Sequence, residues 1–275
     1  MWDEAFRGIQ KHLIVNTQNS GLKIVAELPQ GIGGEVLPKM DHLVCFLPGA
    51  IALAATGGLT LEKARRNDDW SGKKEEQITL ARELLKTCWG MYAVTETGLA
   101  PEIAFFNVAR ASDGRSAKSS DRLYSWKKDY IIKPSDAHNL QRPETVESLF
   151  MMWRITEDPI YRDWGWKIFQ AFKKHTSVGD GKGYTSVNNV NAVPPGWRDN
   201  MESFWLVSAA VGAPALMTTQ SESRAGRDSE IPLPPFLAER FLPVGRHCVQ
   251  HRAHILPRFH EDRWGTGWRR KSAAS

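Results

Sequence analysis

The feature of this sequence that most constrains its fold is a helical repeat of apolar residues. Residues 3–14 carry apolar side chains at fourfold spacing, and residues 78–92 repeat the pattern. Such spacing places the apolar side chains on one face of a helix. The pattern returns from Pro143 to a stop near residue 158 and over residues 161–174, and a fifth helix is expected to begin near Asp199. Helix pairs of this length form a toroid or solenoid, so the fold class is predicted to be all-α.

The segments between the predicted helices are rich in turn-forming or charged residues. Residues 25–36 and 183–190 are β-prone and contain glycine, so they are expected to form small hairpins or turns. Residues 62–77 are highly charged and residues 109–128 are rich in serine and charge, which favours surface loops. The longest apolar stretch, residues 43–55, falls short of the roughly 20 residues that span a bilayer and is predicted to be a core segment.

The composition of the chain changes near residue 207. The 275 residues have a formal charge of +5, and residues 211–275, with 10 Lys and Arg against 6 Asp and Glu, contribute +4 of it. Proline and arginine increase there and the helical pattern fades. Residues 1–206 are therefore predicted to be one domain, and residues 207–275 a divergent, basic, proline-rich tail that is disordered. Because the charge belongs to the tail and not to a folded face, no nucleic-acid partner is predicted.

Signals of compartment within the sequence are few. The N-terminus has no basic segment leading into an apolar core, so no secretory signal peptide is predicted and the chain as written would stay in the cytosol. Three cysteines are too few for a disulfide framework, although one bridge and one free thiol are possible. The spacing of three histidines and a cysteine in residues 247–254 could bind a metal, but chance occurrence in the tail is the favoured interpretation.

Two glutamates open the helix that follows Pro143. Glu144 and Glu147 lie one turn apart on one face, where the helix dipole and unpaired N–H groups favour ionised carboxylates. An ionised carboxylate is what a general base needs, and Arg142 could hold it or bind a sugar hydroxyl. Ordinary capping by glutamates in a first helical turn explains the same pattern, and composition alone favours that explanation.

Two other polar groups adjoin apolar segments. Glu102 lies between a proline and the apolar residues 103–106, where a buried acid would suit proton donation or sugar recognition. A glutamate exposed in a turn is the alternative. Asp41 and His42 adjoin the apolar residues 43–55, and for His42 a hydrogen-bonded structural role is favoured over a catalytic one.

Taken together and in this order, these segments resemble glycoside hydrolase family 47, the class I α-1,2-mannosidases, which trim N-glycans. The matching segments are KMDHLVCFLPGA (39–50), TGLAPEIAFFN (97–107), the stretch 138–172 that begins HNLQRPETVESLF, GYTSVNNV (183–190) and RDNMESFWL (198–206). The likeness covers about residues 2–206. The endoplasmic-reticulum branch of the family is the more similar one.

The resemblance implies a fold and a mechanism. The fold would be part of a barrel of seven helix pairs with short β-hairpins. The reaction would be an inverting hydrolysis of α-1,2-linked mannose on high-mannose N-glycans, with a calcium ion at the barrel floor. Cys45 and Cys88 align with the disulfide pair of the family. The matching site positions are Glu144 as general base, Glu102 as a second active-site acid, Arg142 and Glu147 as contacts of substrate or calcium-bound water, and Phe204 as the aromatic floor under the sugar.

Two departures from the family pattern set further expectations. The half of the family that carries the proton-donor glutamate corresponds to positions before Met1, and the segment whose threonine binds calcium has no counterpart after residue 206. This chain alone is therefore expected to be an inactive fragment without a direct calcium ligand. Family members work in the lumen of the endoplasmic reticulum or Golgi, held by an N-terminal membrane anchor that this chain lacks. The alternative is a non-catalytic protein that binds high-mannose glycans or a glycoprotein quality-control partner.

Overall fold

The structure is a computed structural model that describes residues 2–108, 126–179 and 183–205, and the backbone of residues 247–250 and 254–257. Six α-helices lie wholly within these residues: α1 (Trp2–His12), α2 (Leu47–Thr56), α3 (Leu61–Arg65), α4 (Gly72–Ala93), α5 (Glu144–Thr156) and α6 (Ile160–Thr176). Short 3₁₀ helices cover His42–Phe46, Trp126–Asp129 and Pro134–Asp136. Of the helices described, none has both the length and the apolar character needed to cross a membrane.

The strands of the described residues form four small antiparallel sheets. The pairs are β1 (Ile14–Asn16) with β2 (Lys23–Val25), β6 (Ser186–Val187) with β7 (Trp197–Arg198), and β8 (His247–Gln250) with β9 (His254–Pro257). The fourth sheet has three strands: β3 (Lys39–Asp41), β4 (Ile103–Phe106) and β5 (Tyr130–Ile131). Because each strand has only two to four residues, the sheets connect the helices and form no layer of their own.

The core of the described residues lies between α2, α4 and α5. Gly49 of α2 lets α5 approach closely, because a Cβ at this position would lie 2.7 Å from the sulfur of Met151 and 3.0 Å from Cα of Ser148. The close approach allows the Ser148 hydroxyl to donate to the carbonyl oxygen of Cys45 (2.6 Å) and to accept from the N–H of Gly49 (3.1 Å). Buried apolar side chains fill the rest of the interface: Ile51, Ala52, Leu84, Leu85, Leu149 and Met152.

A disulfide joins Cys45, in the 3₁₀ helix before α2, to Cys88 of α4. This pairing is the one that the family resemblance implied. His42 lies one turn before Cys45, and Tyr92 lies one turn after Cys88. The bond therefore ties together the two elements that carry His42 and Tyr92.

A buried aspartate fastens the N-terminal hairpin to the rest of the chain. Asp129 accepts hydrogen bonds from the hydroxyl of Thr17 (2.9 Å), the N–H groups of Asn19 and Ser20 (2.9 Å each), the side-chain amide of Asn19 (2.7 Å) and the hydroxyl of Ser20. All the donors lie in residues 17–20, between β1 and β2. We call this group of contacts the Asp129 latch.

The helix-rich fold with short sheets agrees with the sequence prediction, but several boundaries were wrong. Residues 62–77, predicted to be a surface loop, contain most of α3 and the first turns of α4. The hydroxyl of Thr60 caps α3 by accepting from the N–H of Lys63 (3.4 Å), a local signal that the charged composition obscured. The helix expected from about Asp199 begins only at Ser203, after β7. Most of the predicted loop 109–128 lies outside the described residues.

The tail differs from its prediction at one place. Residues 247–250 and 254–257 form an antiparallel hairpin, where the sequence predicted no ordered structure. Both strands contain β-branched or apolar residues, such as Val249 and Ile255, which suit a strand. The rest of residues 206–275 lies outside the described residues, as do the side chains of the histidine and cysteine segment 247–254.

Candidate active site

The candidate site is built around the first turn of α5. Pro143 precedes the helix, and its carbonyl oxygen accepts from the N–H of Glu147 (2.9 Å). Glu144 is the first helical residue, and only 2% of its surface is exposed, whereas Glu147 is partly exposed. The carboxylate of Glu144 therefore lies at the positive end of the helix dipole, inside the protein.

His42 holds the carboxylate of Glu144. The Nδ1 atom of His42 lies 3.0 Å from Oε2 of Glu144, and its Nε2 atom lies 2.8 Å from the hydroxyl of Tyr92 and 3.2 Å from that of Thr145. With a proton on Nδ1, His42 donates to Oε2 of Glu144. The sequence favoured a hydrogen-bonded His42 with a structural role. The structure adds that its partner is the candidate base.

The two glutamates of this turn titrate differently. Burial raises the pKa of Glu144, but the hydrogen bond and charge of His42, the backbone N–H and the charge of Arg142 outweigh burial, so its pKa lies below the usual value. The pKa of Glu147 rises to about 7, first because the surrounding protein removes water from its carboxyl group and then because the charge of Glu144 is near. One carboxylate thus stays ionised near neutral pH while the other can gain or lose a proton there.

Glu102 and Arg142 form the second part of the site. Glu102 follows Pro101, is 8% exposed, and forms an ion pair with Nε of Arg142. Its other oxygen accepts from the N–H of Leu140 (2.9 Å). The guanidinium carbon of Arg142 lies 5.7 Å from the ring centre of Phe204, which is within cation–π range.

The structure brings the predicted site residues together. Arg142 connects them, since it pairs with Glu102, stacks near Phe204 and acts by its charge on Glu144. Sequence reasoning missed Tyr92, Thr145 and Gln141, which gave no local signal. Tyr92 occupied an ordinary apolar position of a predicted helix, and its role follows only from the contact with His42.

Two buried carboxylates, Glu144 at the start of α5 and Glu102 just before β4, lie beside an arginine and an aromatic ring, and a pair of carboxylates is typical of glycoside hydrolases. The chain belongs to glycosyl hydrolase family 47, whose sequence profile matches residues 1–209.

Curated relatives agree with this membership, and a solved structure agrees with the fold. A mannosyl-oligosaccharide 1,2-alpha-mannosidase of Arabidopsis thaliana is 53% identical over 207 residues, which are 75% of this chain and 33% of that protein. An endoplasmic reticulum mannosyl-oligosaccharide 1,2-alpha-mannosidase of Schizosaccharomyces pombe is 43% identical over 205 residues, 74% of this chain and 36% of that protein. The chain thus spans about a third of these relatives. The solved structure of an alpha-1,2-mannosidase from Trichoderma reesei matches this chain with a TM-score of 0.66 at 21% identity. The match covers 93% of this chain and 46% of that one, and it supports the fold.

Membership of family 47 implies a calcium ion, but the described residues do not fit its direct coordination. Calcium takes about six to eight oxygen ligands, and the described part of the chain has no group of three or more His, Cys, Asp or Glu side chains that could hold a metal. The carboxylates of Glu144 and Glu102 already contact His42 and Arg142. The described residues by themselves therefore supply no direct calcium site.

Proposed function

We propose that this chain is part of a mannosyl-oligosaccharide 1,2-α-mannosidase that trims α-1,2-linked mannose from high-mannose N-glycans with inversion. The observation that carries the proposal is the buried carboxylate of Glu144 at the start of a helix, with Nδ1 of His42 3.0 Å from its Oε2 atom. Inverting glycosidases need a carboxylate that takes a proton from water, and Glu144 has the required charge.

Each residue of the site has a part in this chemistry. Glu144 is the general base, and Glu147 orients the attacking water, since two charged bases in one helical turn would repel each other. Arg142 donates hydrogen bonds to sugar hydroxyls, and Phe204 supplies the apolar surface on which a pyranose ring packs. Glu102 belongs to the site as its second acid. An acid on the opposite face of the sugar, roughly 6.5–9.5 Å from the base, completes the reaction. We assign it to a segment of the complete enzyme outside these 275 residues, so this chain alone is inactive.

The proposal extends to architecture and compartment. Residues 1–206 form part of a barrel of seven helix pairs, and residues 207–275 are a separate tail. The Cys45–Cys88 disulfide suits an oxidising compartment, and several relatives are named endoplasmic reticulum enzymes, so we assign this protein to the lumen of the secretory pathway, held by an N-terminal anchor. Its partners there are glycoproteins that carry high-mannose N-glycans.

The test replaces Glu144 by Gln in the complete enzyme that contains this chain. Glu144→Gln keeps the size of the side chain and removes its basicity, so kcat for mannose release should fall by about 10²- to 10⁴-fold while glycan binding persists. Glu157→Gln, at the exposed far end of the same helix, is the matched control and should leave kcat unchanged.

The proposal has two clear ways to fail. If kcat fell less than about tenfold in Glu144→Gln, while Glu147→Gln abolished turnover with binding intact, the role of base would belong to Glu147. Release of mannose by the purified 275-residue chain, free of other glycosidases, would overturn the assignment of the acid to another segment.

A further inference from the structure

We propose that Glu102 is a positioning residue whose carboxylate clamps the chain on both sides of Gln141 and thereby holds Arg142 and the start of α5 in place. The inference rests on the proposed function, and it refines the part that Glu102 plays there. Three sets of contacts carry it: the backbone of Gln141, the two oxygens of Glu102, and the peptide group of Glu102.

The backbone of Gln141 has a conformation that a side chain disfavours. Its φ angle is 61°, in the left-handed region, and Glu157 (φ 58°) is the only other non-glycine residue of the described chain with a positive φ. The Gln141 side chain is buried, and neither of its amide atoms has a hydrogen-bond partner among the described residues. The side chain of Gln141 therefore does not stabilise this bend, and other groups must do so.

The carboxylate of Glu102 binds the residues on either side of Gln141. One oxygen accepts from the N–H of Leu140 (2.9 Å), and the other is ion-paired with Nε of Arg142. Asn139 adds two contacts, because its side chain accepts from the N–H of Gln141 (2.9 Å) and donates to the carbonyl oxygen of Ala100 (2.7 Å). The bend is thus fastened to the segment that carries Glu102.

The peptide group of Glu102 also positions His42. The carbonyl oxygen of Glu102 accepts from the N–H of His42 (2.8 Å), and its N–H donates to the carbonyl oxygen of His138 (2.9 Å). His42 and Arg142 both act on Glu144, so one residue places both neighbours of the base. Both side-chain oxygens of Glu102 accept from N–H donors, so the carboxylate acts here as a hydrogen-bond acceptor. Holding the bend, and not donating a proton, is the role that fits this geometry.

The test is a double-variant cycle on the binding of a purified high-mannose N-glycan with terminal α-1,2-linked mannose. Glu102→Gln keeps an oxygen that accepts from the N–H of Leu140 but places an N–H₂ group opposite Nε of Arg142. Two donors then face each other and the contact with Arg142 is lost. We therefore expect glycan binding to weaken about tenfold. Gln141→Gly adopts the left-handed bend without a clamp. In the Gln141→Gly background, Glu102→Gln should therefore weaken binding much less than in the wild-type chain.

Glu157→Gly is the matched control, because it relieves the same backbone conformation at the other end of α5. It should not reduce the effect of Glu102→Gln. An equal loss of affinity from Glu102→Gln with Gln or Gly at position 141 would overturn the clamp and show that Glu102 acts on the sugar directly.

A second measurement needs no glycan. Backbone NMR shifts of Gln141 in the Glu102→Gln variant should move away from left-handed values, and unchanged shifts would overturn the proposal. If the complete enzyme that contains this chain bound no high-mannose glycan, the proposed function would be lost, whereas these shifts would still decide whether Glu102 holds the bend.

Discussion

Asp129 and Glu144 are both buried carboxylates, but their surroundings are of opposite kinds. Asp129 accepts five hydrogen bonds from hydroxyl and amide groups, none of which titrates near neutral pH. Glu144 contacts an imidazole and lies in one helical turn with Glu147, whose pKa is about 7. Neutral donors make a carboxylate a fixed part of the fold, whereas titratable neighbours allow it to exchange a proton.

The two carboxylates serve different purposes: Asp129 belongs to the scaffold and Glu144 to the candidate site. The Asp129 latch joins residues distant in sequence, such as Ser20 and Asp129, and leaves both oxygens of the aspartate engaged. The turn of α5 keeps two carboxylates close, which costs stability because their charges repel. Stability should therefore depend strongly on Asp129, and its dependence on pH should come from Glu147.

The largest expected effect comes from breaking the Asp129 latch. Asp129→Ala leaves the donors of residues 17–20 without their acceptor, and each buried donor left unpaired costs about 1–3 kcal/mol. Because Asn19 and Ser20 are near the surface and water can replace part of the loss, we expect the free energy of unfolding to fall by about 4 kcal/mol. Urea denaturation measures it.

Asp129→Asn is the control for this prediction. It keeps one acceptor oxygen and should lose about half as much stability. Because the hydrogen bonds of the latch involve no residue of the candidate site, glycan affinity of the folded Asp129→Asn variant should equal that of the wild type. A loss below about 1 kcal/mol in Asp129→Ala would show that the latch is not a main support of the fold.

The next effect is a dependence of stability on pH that Glu147 causes. Its pKa is raised from 4.5 to about 7 by folding, so between these values the folded chain keeps a proton that the unfolded chain releases. The free energy of unfolding should therefore fall as the pH rises through this window, by up to about 3 kcal/mol. Denaturation curves across this pH range measure the slope.

Glu147→Gln should flatten that slope, since the side chain no longer titrates. Glu144 has the opposite sign: its pKa is lowered by folding, so its stabilising contribution is lost as the pH falls through its folded pKa. An unchanged slope in Glu147→Gln between pH 4.5 and about 7 would refute the assignment of this window to Glu147.

The sequence predicted the scaffold and the site to different extents. The helices α5 and α6 match their predicted ranges closely, because their apolar residues follow the helical period and prolines precede both. The contact between His42 and Glu144 joins residues 102 positions apart, and no local pattern encodes it. Only the family resemblance gathered the site residues in advance. It did not predict the contacts that shift the pKa values of Glu144 and Glu147, because those contacts depend on tertiary packing.

The packing beside the Asp129 latch depends on a glycine of α4. Gly90 of α4 faces Tyr130, and a Cβ at this position would lie 1.9 Å from the tyrosine hydroxyl, which donates to the carbonyl oxygen of Thr87 (3.0 Å). Gly90→Ala must displace this ring and should lower the free energy of unfolding by about 2 kcal/mol.

Gly8→Ala is the matched control, because a Cβ at Gly8 in helix α1 meets nothing within 4 Å. It should stabilise the chain by about 0.5–1 kcal/mol, as alanine does in a helix. Equal effects of the two substitutions would contradict the close contact at Gly90.

The smallest expected effect comes from the left-handed residue at the C-terminal end of α5. Glu157 is exposed, ends the helix with φ 58°, and its N–H donates to the carbonyl oxygen of Trp153 (2.7 Å), a position that glycine usually occupies. Glu157→Gly removes a left-handed strain of about 1–2 kcal/mol but gives the unfolded chain more freedom, so we expect a net gain of about 0.5 kcal/mol. Gln141→Gly removes a similar strain but also a buried side chain, so it should gain less. If Gln141→Gly proved the more stabilising of the two in urea denaturation, the bend at the site would store more strain than its φ angle indicates.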